Sequence, residues 1–235
     1  MTEAAASPPV LVARAVTKDF PTGGGVLRVL HGIDLEIGAA THVAIVGPSG
    51  SGKSTLLSIL GTLESPTTGD VVVDGCSTAT MPDGDKAALR SRAFGFVFQQ
   101  FHLLGHIDAT RNVELGLLYA GFTPAERRAR AQHALERVGL GHRMDHRPGQ
   151  LSGGEQQRVA VARAIAHDPK VVFADEPTGA LDQSTGTAVM ELLRGLSSTA
   201  LVVITHDEGI AASMPRLVRV RDGRIEQDVV QGVDA

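Results

Sequence analysis

The run GPSGSGKS, from Gly47 to Ser54, sets glycines, hydroxyls and a lysine at the spacing G-x-x-x-x-G-K-S. Gly47, Gly50 and Gly52 let a backbone wrap close to a chain of phosphates with its amide N–H groups pointing inward, while Pro48, Ser49 and Ser51 fill the loop and Lys53 adds a point charge. Ser54 is placed to ligate magnesium, with Thr55 beside it at a helix start. Such a loop grips a nucleoside triphosphate. The alternative is a glycine-rich turn without a ligand, and it is disfavoured by the apolar run THVAIV (Thr41 to Val46) before the loop and the helical pattern after it.

About a hundred residues later comes LSGGEQQRVA, Leu151 to Ala160. Ser152, Gly153 and Gly154 supply small residues and a helix start, the polar run Glu155 to Arg158 follows, and apolar positions then recur at helical spacing. That is a helix N-terminus suited to meet an anion; a plain N-cap is the alternative for Ser152. Two further runs, VVFADE (Val171 to Glu176) and LVVITH (Leu201 to His206), are continuously apolar until they end in polar residues. Such runs suit parallel strands covered on both faces, with ligands at their carboxyl ends. Asp175 and Glu176 are adjacent carboxylates at the end of a buried strand, where isolated charges are costly, so they need a cation and a task. The alternative is a solvated pair. A lone histidine such as His206 is ordinarily a surface or satisfied core residue.

With both motifs in place the chain resembles, over nearly its whole length, the nucleotide-binding subunits of ATP-binding cassette (ABC) transporters. FVFQQFHLL (Phe96 to Leu104) and LSGGEQQRVAVARAI (Leu151 to Ile165) are similar to the lipoprotein-releasing and macrolide-export type. The resemblance implies an ATPase using ATP and Mg2+, with Asp175 holding the metal through water, Glu176 polarising the attacking water as general base, and His206 contacting the γ-phosphate. It places Gln99 as the sensor of magnesium and attacking water, with Gln100 as the alternative, so that Ser54, Gln99 and Asp175 form the metal set. It also implies a head-to-tail homodimer closing on two ATP molecules, in which Ser152, Gly153 and Gly154 of one copy cover the γ-phosphate held by the other, and Asp182, in GALD, lies at the interface. Phe20 stands where the family places an adenine-stacking aromatic; a core or lid-packing role is its alternative. The partner implied is a separate transmembrane permease docking at about Phe101 to Asn112, for export or for lipoprotein or peptide extrusion. An ATP-switched signalling module without solute transport is the rival reading.

The elements that must position these residues follow from length and pattern. A chain of 235 residues suits one α/β domain, or a core carrying a smaller subdomain, and is too short for two cassettes. The expected fold is a P-loop NTPase core with a mostly parallel sheet, an antiparallel β edge subdomain and an inserted helical subdomain at about 100–165. Residues 1–9 read as a flexible leader and 10–235 as a single ABC ATPase domain. Strands are expected from Val10 to Ile37 around a turn at Pro21 to Gly25. A helix is expected from the Thr123-Pro124-Ala125-Glu126 cap towards Gly139, and a hairpin around Asp222-Gly223 within Val218 to Glu226.

Composition excludes several classes. No apolar run approaches the roughly 18 to 20 residues that cross a bilayer, so any membrane association is borrowed from a partner. The net charge of -4 offers no basic field for nucleic acid. The single cysteine, Cys76, allows no intrachain disulfide, and MTEAAASPP lacks the apolar core of a signal peptide. The expected location is cytoplasmic, peripheral on the inner face of the cell membrane through the permease. His102/His106 and His142/His146 have i,i+4 spacing but no third ligand cluster, and read as surface or subunit contacts.

Overall fold

Strands that are apolar at every position need cover on both faces, and period-2 geometry sends alternate residues to opposite sides. That is how the chain is layered in the computed structural model, which describes residues 8–231. In chain order the elements are β1 (Pro9–Thr22), β2 (Gly25–Gly38), β3 (His42–Val46), α1 (Lys53–Leu60), β4 (Thr68–Val73), β5 (Cys76–Ser77), α2 (Asp83–Ala93), β6 (Phe94–Phe98), α3 (Ala109–Leu115), α4 (Pro124–Arg137), α5 (Gly153–Ile165), β7 (Val171–Asp175), α6 (Gln183–Arg194), β8 (Ala200–Ile204), α7 (Glu208–Ala212), β9 (Arg216–Arg221) and β10 (Arg224–Val230).

Six strands form one sheet in the order β10-β9-β3-β8-β7-β6, parallel except for the edge strand β10. A second, antiparallel sheet has the order β2-β1-β4-β5. Val43, Ile45, Phe173, Val202 and Ile204 enter one core with Leu56, Leu57, Ile59 and Leu60 of α1 and with Leu11, Val16, Ile33 and Leu35 of the antiparallel sheet. Their alternates Ala44, Val46, Val172, Ala174, Leu201 and Val203 enter a second core with α3, α4, α5 and α6. The helix that follows the phosphate loop is thus clamped between two sheets, and truncating a leucine as buried as Leu57 costs about 2 to 5 kcal/mol.

The α/β class, the antiparallel sheet and the helical subdomain agree with the sequence expectation, and three details differ. Of the expected leader, residues 1–7 lie outside the described residues and Pro9 already belongs to β1. The turn expected at Pro21 to Gly25 is tighter: Pro21 pairs with Val26 and Thr22 with Gly25, leaving Gly23-Gly24 to turn the chain. Proline is tolerated there because β4 flanks β1 only as far as Thr17, so no second neighbour needs an N–H from Pro21. Finally, residues 100–108 are not helical. Asn112 organises that stretch from α3: its Oδ1 accepts from Leu104 N at 2.8 Å, and its Nδ2 donates to the carbonyls of Leu104, Ile107 and Asp108 at 3.2, 3.3 and 3.0 Å. The expected cap at Thr123 is present as a full capping box, and the hairpin turns at Asp222-Gly223 with φ of 47° and 69°.

Candidate active site

The phosphate loop joins the end of β3 to α1, and the β9–β10 hairpin holds it in place. Gly223 N donates to Ser51 O at 3.1 Å, and Ser51 N donates to Pro48 O at 3.2 Å. A Cβ on Gly47 would overlap the carbonyl oxygen of Val220, so only glycine lets the loop lie this close to the neighbouring strand. Gly52 caps α1 without a side-chain acceptor, and the first turn carries no acidic residue. The amides and the positive end of that helix are therefore offered to an anion. Lys53 Nζ donates to the carbonyls of Gly47 and Pro48 at 2.8 and 2.9 Å, which fixes two of its three donors and aims the charge across the loop. Pro48, Ser49, Gly50 and Ser54 are exposed, whereas Ser51 is buried and its Oγ has no partner.

Parallel pairing brings the strand ends to this loop. Asp175 closes β7 opposite Ile204 of β8 and Phe98 of β6. Burial pushes its carboxyl above the ordinary carboxylate range, and the Ser54 hydroxyl beside it pulls the other way; the Glu176 charge adds to the rise and Lys53 opposes it. A carboxyl desolvated in this way, next to a hydroxyl, is an oxygen-donor pair suited to a hard cation such as Mg2+.

Glu176 leaves the strand with φ of 47°, a left-handed conformation that costs a non-glycine residue about 1 to 3 kcal/mol and clusters at functional sites. The conformation persists because Glu176 N donates to Ile204 O at 2.9 Å and Gly179 N donates to Glu176 O at 3.1 Å. It turns the carboxylate towards the end of β8. There Oε1 accepts from His206 Nδ1 at 2.7 Å and Oε2 from Thr205 Oγ1 at 3.4 Å. The bond to Glu176 raises the His206 imidazole above its ordinary value, although the ring itself is exposed.

Gln99 follows β6 and is exposed, its amide lying against Gly179, where a Cβ would stand 2.8 Å from Gln99 Nε2. Gln100 beside it is also exposed. Ser152 is the N-cap of α5 in a complete capping box: its Oγ accepts from Glu155 N at 3.2 Å and its N donates to Glu155 Oε2 at 2.8 Å. With Oγ accepting, the hydroxyl proton of Ser152 remains available to an outside acceptor. Gly153 lies over Leu181 and Phe101, and a Cβ on Gly154 would overlap Thr185 Cγ2, so Gly154 is required by the packing of α5 on α6 in its own chain. Asp182 is likewise a helix cap: its Oδ1 accepts from Thr185 N at 3.0 Å and Ser184 Oγ at 2.7 Å. The Thr185 hydroxyl first, then the Ser184 hydroxyl and the Thr185 N–H, hold its carboxyl far below the usual carboxylate range. Phe20 sits half-buried on β1 opposite Leu27, with the Lys18 ammonium 5.0 Å from its ring centre.

Lys53, Ser54, Asp175, Glu176 and His206 are therefore one cluster, while Ser152, Gly153, Gly154 and Asp182 belong to the α5–α6 packing. Sequence reasoning did not single out Thr205, the clamp by Gly223, or Gln157 and Arg163 of α5. Gln157 carried a signal: it falls on the apolar face of its helix, in step with Val161 and Ala164, where a polar residue needs a reason. The histidine pairs are not gathered; among the described residues no group of three or more His, Cys, Asp or Glu forms a metal-binding cluster.

A phosphate loop before a helix, a carboxylate pair at the end of the neighbouring strand and a capped glycine pair on a second helix define a P-loop nucleotide-binding domain. The family model described as ABC transporter matches residues 30–179, and the chain belongs to that family as its ATPase domain. It is 49% identical over 229 residues to "Macrolide export ATP-binding/permease protein MacB 1/2" of Paracoccus denitrificans, covering 97% of this chain and 34% of that protein. It is 49% identical over 212 residues to "Uncharacterized ABC transporter ATP-binding protein YknY" of Bacillus subtilis, covering 89% and 92%. The chain thus spans about a third of the length of the MacB relatives it matches and most of YknY. Among solved structures, the dimeric post-hydrolysis state of the ATP-binding cassette MJ0796 bound to ADP and Pi matches with a TM-score of 0.85 at 40% identity, over 94% of this chain and 98% of that one.

Proposed function

We propose that this chain hydrolyses ATP as a head-to-tail homodimer and drives a separate membrane permease, in export or in lipoprotein or peptide extrusion. The observation that carries the reading is the convergence of Lys53, Ser54, Asp175, Glu176 and His206 on one loop. Lys53 and the α1 amides bind the phosphates. Ser54 and Asp175, with Gln99, would hold Mg2+, which would neutralise charge on the phosphate oxygens. Glu176 takes the proton of the attacking water as general base, and His206 and Thr205 hold its carboxylate in line. Phe20 stacks on the adenine. Ser152, Gly153 and Gly154 of the second copy meet the γ-phosphate through the free hydroxyl and the α5 amides, with Asp182 at the same interface. Loss of the γ-phosphate then releases the pair. Support for dimerisation comes from the dimeric MJ0796 cassettes, and for a permease on a separate chain from YknY, a relative of similar length named as an ATP-binding protein.

Among the described residues no helix is long and apolar enough to cross a membrane, consistent with a peripheral position on the cytoplasmic face. We infer that the permease docks where the Phe101–Asn112 segment borders a groove of about 750 Å³ lined by Phe94, Phe96, Phe98, His102 and Tyr119. Tyr119 is 82% exposed there, a large aromatic suited to an apolar helix face. The test is to purify tagged Glu176→Gln protein with ATP and magnesium from detergent-solubilised membranes of its host. A stoichiometric membrane protein is the expected companion; a soluble dimer alone, or one carrying nucleic acid or ribosomes, contradicts the reading.

A further inference from the structure

One buried amide joins parts of the molecule that the mechanism treats separately. Gln157 lies five residues beyond the Ser152 cap, about 7.5 Å along α5, and is wholly buried. Its Nε2 donates to Pro177 O at 2.5 Å and to Phe98 O at 3.3 Å. Pro177 is the residue after Glu176, and Phe98 is the residue before Gln99. A single side-chain nitrogen therefore holds the backbone on which both reaction-centre side chains are mounted. Six residues further along, Arg163 Nη1 and Nη2 donate to the carbonyls of His102 and Phe101 at 2.7 and 2.8 Å. The Gln99–His102 segment is thus fastened to α5 at both ends.

Packing does not account for the amide. Its Oε1 is buried with no partner, so the amide is kept for its donor bonds at the cost of one unsatisfied acceptor. What the amide supplies is the pair of donor bonds, and these constrain two backbone carbonyls at the ends of β6 and β7.

We propose that Gln157 is a positioning residue: it ties the signature helix of a chain to Gln99 and Glu176 of the same chain, so that engagement of Ser152 at one nucleotide sets the catalytic carboxylate at the other. The proposal rests on the reading of Glu176 as general base and of Ser152 as a contact to the second copy's nucleotide. A displacement of α5 along its axis is carried by the Gln157 amide to Pro177 and Phe98, and by Arg163 to the segment that borders the permease groove. One rigid helix then reports both nucleotide engagement and permease docking to the base.

The test uses the full chain with Gln157→Leu and Gln157→Glu, measuring steady-state ATPase and, separately, ATP affinity. Gln157→Leu keeps the volume and removes the donor. It is expected to stay folded, with a melting temperature lowered by the loss of the donor to the buried Pro177 carbonyl, and to bind ATP within twofold of the parent, while kcat falls tenfold or more. An ionised Gln157→Glu carboxylate repels the same two carbonyls, whereas its protonated form restores a donor. Its rate is therefore expected to rise as the pH is lowered, over a range where the Gln157→Leu rate follows the parent profile. A folded Gln157→Leu protein with kcat within twofold of the parent overturns the proposal. So does a loss of ATP affinity equal to the loss of kcat, or a Gln157→Glu profile parallel to that of Gln157→Leu. Glu176→Gln measured alongside separates the two readings, because normal turnover in that variant removes the base assignment whatever Gln157 does.

Discussion

The phosphate-loop corner and the start of α5 handle the same kind of ligand chemistry in different ways. At the loop, segments far apart in sequence are brought together by strand pairing: Lys53 and Ser54 after β3, Asp175 and Glu176 after β7, Thr205 and His206 after β8, with Gly223 of the hairpin holding the loop itself. At the start of α5 the arrangement is local, a capping box closed between Ser152 and Glu155 and a glycine fitted against Thr185. The first region concentrates unsatisfied or strained groups, including a desolvated Asp175, a left-handed Glu176 and an unpartnered Ser51 Oγ. The second satisfies its own backbone and offers outward only a hydroxyl proton and helix amides. Under the proposed function, the region that would perform chemistry is strained by its neighbours, whereas the region that would meet the second copy's ligand is closed by its own local bonds.

The contrast is sharpest for Glu176. Glu176→Gln keeps the size and removes the carboxylate proposed as base, so turnover is expected to fall by about 10² to 10⁴ in a phosphate-release assay, with ATP still bound. Retained turnover would separate the strained carboxylate from the chemistry. Lys53→Ala removes the charge aimed across the loop and should weaken ATP binding by about ten- to hundredfold, read by titration with a fluorescent nucleotide.

On the other side of the comparison, Gly154→Ala forces a methyl group onto Thr185 Cγ2 and should destabilise the fold by about 1 to 3 kcal/mol in chemical denaturation. Thr185→Ser, which deletes that methyl, should restore most of the loss. Failure of the second change to rescue the first would mean that the Thr185 methyl is not what demands glycine at 154. The smallest effect concerns His206. An NMR titration should place its imidazole above the ordinary 6.5, and Glu176→Gln should bring it back down. The sign for stability follows: a raised histidine contributes fully below its unfolded value and loses that contribution as the pH rises through the folded value. The ring is exposed, so solvent keeps the contribution small.

Much of this was legible in the sequence because it depends on local pattern. The glycine spacing of the phosphate loop, the apolar runs ending in Asp175-Glu176 and His206, the Thr123 capping box, the helix start at Ser152 and the Asp222-Gly223 turn are each written in a few adjacent residues. What was not legible depends on which segments meet. Gly154 reads as a glycine for a ligand, and only the approach of α6 shows that Thr185 already demands it. Gln157 reads as part of a polar run, and its role appears only when β6 and β7 end beside it. The Pro21–Gly25 turn is drawn too wide because the reach of β4 along β1 is a tertiary fact.

The account turns on the two regions completing each other across a pair of chains. The direct measurement is the mass in solution of Glu176→Gln protein with Mg-ATP, by light scattering, compared with the same protein carrying Ser152→Arg. The account predicts a dimer of 24.6 kDa chains for the first and a monomer that still binds ATP for the second. A Ser152→Arg protein that dimerises as well as its parent, or that loses ATP binding along with the dimer, would contradict it.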